Sequence, residues 1–127
     1  MSDVQKIKAF VQDVLGCGCS EEVFKIIEET KGDYKGIEYS RINVGNRLLV
    51  YIFRTDDRDF ILDEMDEVLG AGLVDRDQHG FNRFRLVYAM QRPTEERGWV
   101  VKTFEGLKTD DRTFIHVVDV KAADFRH

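Results

Sequence analysis

The sequence predicts an α+β fold. A mostly antiparallel five-stranded sheet packs as a two-layer sandwich against two N-terminal helices and one crossover helix, in the order α-α-β-β-α-β-β-β. Three observations carry this reading. Apolar residues recur at helical spacing near the N-terminus and again past residue 57. β-branched and aromatic residues fill 37–44 and 47–54 around a Gly-Asn pair. Finally, the 127 residues contain one proline and no low-complexity linker, so they fit a single domain, 1–127, with its own core.

Val4, Ile7, Phe10, Val11, Val14 and Leu15 share one face of a first helix over 3–15. Ser2 and Gln5 form a capping-box pattern, and Gly16 suits the left-handed position that ends a helix. A second helix is predicted from Glu21 to about Thr30, with Ser20 as N-cap and acids in the first turn. IEYSRINV and RLLVYIFR then form a hairpin turning at Gly45-Asn46. Thr55, Asp56 and Asp57 offer caps for a third helix that buries Ile61, Met65, Val68, Leu69 and Leu73 and ends around Gly70 and Gly72. Strand 83–91 alternates Phe84, Leu86, Tyr88 and Met90 with Arg83 and Arg85. Residues 99–107 and 113–120 complete a last hairpin. Val100, Phe104 and Leu107 would also suit a helix, but Gly98, Gly106 and the β-branched content favour a strand.

Charge narrows the function classes. The net charge of −5 disfavours nucleic acid as the main partner. No apolar run reaches the ~20 residues that span a membrane, and the N-terminus lacks a secretory pattern. Cytoplasmic localisation is the expectation. In that reducing compartment two neighbouring cysteines point to free, metal-bound or catalytic thiols rather than a structural staple.

Those cysteines, Cys17 and Cys19, stand one glycine apart. Two readings stay open. In the first, Cys19 precedes a helix N-terminus whose dipole lowers its pKa, and Cys17 serves as resolving thiol or as second ligand to a soft metal such as zinc or iron. A metal needs further ligands. His79, His116 and His127 stand at no recognisable ligand spacing, and a homodimer could supply a four-thiolate site from two CGC pairs. In the second, Cys19 and Phe24 are the ends of a hydrophobic staple, Cys17 packs on Val11, and the stretch is only a tight corner. The rival function is then a non-enzymatic module that binds a ligand or partner on its sheet face, again as a possible homodimer. Leu15–Phe24 (LGCGCSEEVF) resembles a CGC-(P/S)-EEVF segment of small, uncharacterised prokaryotic proteins. The resemblance implies a prokaryotic, cytoplasmic protein and brings no activity with it.

Other patterns are weaker. Asp75–Gly80 begins like a calcium loop, but position five is His79 and position twelve is Leu86. Arg97–Phe104 partly resembles the RNP1 strand of RNA-recognition motifs, with Trp99 as the stacking residue, yet valines replace its central residues. His116 alternates with Phe114, Val118 and Val120, so it belongs to the apolar side of its strand. His79 belongs to a solvated loop, and the Asp56-Asp57 and Asp110-Asp111 pairs read as caps and turns.

Overall fold

The computed structural model describes residues 3–126. Ser2 and His127 lie outside them. The first helix, α1 (Val4–Ala9), is capped by Asp3, whose carboxylate accepts from the Gln5 amide. It continues through a wider π turn over Phe10–Val14. Strands β1 (Ile27–Tyr34), β2 (Ile37–Val44) and β3 (Leu48–Arg54) follow as an antiparallel meander. Helix α2 (Arg58–Gln78) leads to β4 (Arg83–Met90), and helix α3 (Pro93–Glu105) to β5 (Thr113–Asp119). The five strands lie in sequence order, with β3, β4 and β5 parallel.

The sheet is therefore mixed rather than mostly antiparallel, and the molecule has three layers rather than two. Both crossovers step the same way along the sheet, so the right-handed rule brings α2 and α3 to one face. There Ile61, Met65, Val68 and Val100 pack on Leu49, Phe53, Leu86 and Tyr88. The opposite face must also be covered. Ile7, Phe10, Val11 and Leu15 of the N-terminal segment and Phe125 near the C-terminus cover it, over Ile42, Val50, Ile52 and Val87. LLVYIFR, apolar at every position but the last, is the mark of a strand buried on both faces.

Two elements depart from the expectation. The helix foreseen over 21–30 is a single 3₁₀ turn, Val23–Lys25, followed by edge strand β1. IEETKGDY reads as helical by composition. Its charged residues instead blunt an exposed sheet edge, and a turn at Lys35-Gly36, both with positive φ, folds it onto β2. The strand foreseen over 99–107 is α3, with Pro93 opening the helix and Glu95 and Glu96 in its first turn, where the dipole favours acids. The expected hairpin at Gly45-Asn46 is present, both residues having positive φ. Helix α2 does not stop at Gly70 or Gly72 but runs on to Gln78, with Asp57 capping the Phe60 amide at 3.0 Å.

Candidate functional site

The CGC stretch lies at the C-terminal end of the first helical segment. The π turn carries the Leu15 amide back to the Phe10 carbonyl at 3.0 Å, and the Cys17 amide caps the Val11 carbonyl at 3.1 Å. Gly16, with φ +72°, turns the chain out of the helix. Cys17 and Cys19 are half-buried against the cluster that contains Val11 and Phe24. Their sulfurs lie at disulfide distance, with Cα atoms 5.3 Å apart, inside the range that a disulfide spans. Gly18 is not in the left-handed region and a Cβ there would meet open space, so the bend does not depend on that glycine. Because no helix follows Ser20, the dipole that would have lowered the Cys19 pKa is missing.

Another source of positive potential stands in its place. The cysteines open onto a cavity of about 230 Å³ whose wall includes Arg47, Asn82, Arg83 and Arg85. The parallel pairing of β3 with β4 sets Leu48 beside Arg83, which brings Arg47 to the same corner as the two arginines of β4. Arg85 is 8% exposed. One Nη donates to the Leu15 carbonyl at 3.5 Å and to His116 Nε2 at 2.8 Å, and its guanidinium stacks 4.7 Å from the Phe114 ring. Its Nε has no partner. Among the described residues no carboxylate pairs with Arg47, Arg83 or Arg85, whereas Arg41, Arg76, Arg92 and Arg126 each have one. Burial, and then the neighbouring charge of Arg83, push the Arg85 pKa down.

His116 lies behind this wall. Burial first, and the Arg85 charge second, lower its pKa to about 4. The guanidinium N–H needs the Nε2 lone pair as acceptor, so the neutral ring is the form that fits. An unfolded histidine titrates near 6.5. Between pH 6.5 and about 4 the unfolded chain therefore binds the extra proton, and stability falls as pH falls through this window. We expect a loss of about 2 kcal/mol across it, read from denaturant midpoints. His116→Gln should flatten that slope; an unchanged slope would assign it to other groups.

The remaining sequence candidates come to rest elsewhere. Asp75 and Asp77 lie within α2, so the calcium-like stretch is helix rather than loop. Arg97–Phe104 lies within α3, and Trp99 is half-buried, its indole N–H donating to Glu96 with the Arg58 guanidinium 4.9 Å from the ring. The RNP1 likeness thus falls on a helix, where no strand platform for stacking bases exists. His79 is exposed and pairs with Asp75 at 2.8 Å. No group of three His, Cys, Asp or Glu able to hold a metal occurs among the described residues. Nor is any of their helices long and apolar enough to cross a membrane.

Sequence reasoning found the cysteines and missed what surrounds them. Arg83 and Arg85 read as the polar positions of an alternating strand, and Arg47 as the first residue of the strand over 47–54. It also missed a second polar cluster. Asp75 accepts both the Nε and an Nη of Arg41, at 2.8 and 2.7 Å, together with the Tyr51 hydroxyl. Burial pushes the Asp75 carboxyl up, but these hydrogen bonds outweigh it and hold the group below the ordinary carboxylate range. The cluster lines a groove of about 870 Å³ between α2 and the β1–β3 meander. With its lone pairs committed, Asp75 serves as a clamp between helix and sheet. Compared with known proteins, the chain matches no family model, no curated protein and no solved structure.

Proposed function

We propose that Cys17 and Cys19 act as a dithiol–disulfide couple in the cytoplasm, exchanging electrons with a second thiol–disulfide pair. The observation that carries this reading is the pair of sulfurs at disulfide distance on the rim of a cavity walled by three arginines. Nearby cations favour thiolate over thiol, and the thiolate is the nucleophile in exchange. In the reduced protein the thiolate of one cysteine attacks a sulfur of the substrate disulfide. One substrate thiolate leaves, and a mixed disulfide remains. The second cysteine, as thiolate, attacks the protein sulfur of that bond and expels the other substrate thiolate. Two electrons pass to the substrate, the two cysteine protons end on its thiols, and Cys17–Cys19 is left oxidised.

Zinc or iron binding is the other thiol reading. It needs ligands from a second copy, because the described residues supply no third one beside the pair. The non-enzymatic partner-binding module finds less support, since helices and the C-terminal segment cover both faces of the central strands.

The test is redox titration in thiol–disulfide buffers, followed by alkylation and mass measurement of the folded protein. The reduced form should take two alkyl groups and the oxidised form none, in one two-electron transition. Cys17→Ser and Cys19→Ser should each abolish that transition. Resistance of the reduced, folded protein to alkylation would make CGC a packed corner. Stoichiometric metal on anaerobically purified protein, lost in both variants, would replace exchange with a thiolate metal site.

A further inference from the structure

Given the dithiol reading of Cys17 and Cys19, we infer that the cavity beside them takes a small disulfide carrying a carboxylate or phosphate group, held by Arg47, Arg83 and Arg85. The chain as a whole is acidic, at −5, yet this corner gathers three guanidinium groups and no carboxylate. Like charges crowded without a counter-charge repel one another, and burying one of them costs more. Arg85 bears both costs, being buried with its Nε unpartnered. An anion seated on this wall offsets the repulsion among the three charges and can accept from guanidinium N–H groups in the forked geometry at which they excel. Asn82, also on the wall, adds an amide able to donate to the same ligand.

The size of the cavity, about 230 Å³, suits a small molecule, and the sulfurs lie on its edge. An anionic group seated on the arginines would thus hold its own disulfide next to Cys17 and Cys19. Selectivity would come from charge and position, the electrons following the exchange described above.

Three alkyl disulfides of similar size separate the outcomes: 3,3′-dithiodipropionate (anionic), bis(2-hydroxyethyl) disulfide (neutral) and cystamine (cationic). Each rate of oxidation of the reduced protein is divided by that of dithiothreitol under the same conditions, which removes intrinsic reactivity. The anionic compound should be preferred over the neutral one by about tenfold, and over the cationic one by more, with the preference shrinking as salt rises. Arg47→Gln and Arg83→Gln, both at exposed positions with no carboxylate partner, should each remove several-fold of that preference; Arg92→Gln, at the far end of β4, should not. Equal normalised rates for all three compounds would overturn the inference and leave the dithiol reading standing.

Binding is read separately on the oxidised protein, which cannot reduce the probe, by the shift of its melting midpoint with 3,3′-dithiodipropionate against chloride of equal ionic strength. A shift lost in Arg83→Gln, without exchange in the reduced protein, would keep the anion site and overturn the dithiol reading. No shift at millimolar probe together with uniform rates would overturn the site itself.

Discussion

Gly72→Ala is expected to cost about 3 kcal/mol of stability and to lower the melting midpoint by roughly 10 °C. Gly72 lies on the buried side of α2, where the helix crosses β4. A Cβ at this position would fall inside the van der Waals envelope of the Phe84 ring. That ring has no exposed surface and stands edge-on to Tyr51 at 4.9 Å, so it has little room to retreat. Alanine has the higher helix propensity, by about 1 kcal/mol, so a loss would show that contact outweighs propensity. Phe84→Leu opens space on the other side of the contact. The double variant Gly72→Ala/Phe84→Leu should therefore lose much less stability than the sum of the two single losses in a double-mutant cycle. A Gly72→Ala protein as stable as the wild type would mean that α2 can lift from the sheet at little cost.

Asp75→Ala should be of similar size, a loss of about 3 kcal/mol, for a different reason. It strands the Arg41 guanidinium and the Tyr51 hydroxyl, which is 6% exposed as a residue, without an acceptor. Removing one partner of a half-buried pair strands the other, which removing both does not. Asp75→Ala/Arg41→Met should accordingly recover part of the loss of Asp75→Ala alone, as urea midpoints at pH 7 would report. Equal stability of single and double variants would mean that water reaches the groove and satisfies Arg41. The pair also has a pH signature. With the folded carboxyl held below its unfolded value near 3.9, its contribution is complete above that pH and is lost as the pH falls toward the folded value. This acid limb lies below most of the His116 window; Asp110, whose carboxyl Arg76 also holds low, shares it, so the part that disappears in Asp75→Ala is the part due to Asp75.

Much of this architecture is legible in the chain. Asp57 before a helical apolar stripe, Gly45-Asn46 between two β-branched runs, and the phase of Phe84, Leu86, Tyr88 and Met90 all act locally, and each stands as expected. The misreadings share a cause. IEETKGDY has the composition of a helix, but pairing with β2 supplies a hydrogen-bond ladder that propensity cannot see. In α3 the error ran the other way: Gly98, Gly106 and the β-branched residues favoured a strand over the helical spacing of Val100, Phe104 and Leu107, whereas Pro93 and the acids after it act on the backbone directly and open a helix.

By itself the sequence determined the α+β class, the capped helix after β3, the tight turn between β2 and β3, and the nearness of two thiols that no other cysteine can compete for. Only the tertiary structure decided which face each helix covers and what the thiols meet. Arg47 and Arg83 are 36 residues apart by number, and Arg85 alternates with apolar neighbours as any edge residue might. Parallel pairing of β3 with β4 puts all three at one corner, and the π turn that follows α1 ends beside it at Leu15. Caps, turns and periodicity act within a few residues of chain, and so can be read along it. Convergence of charge on a cavity depends on strand register and on the direction of a crossover, which are settled only when distant segments pack.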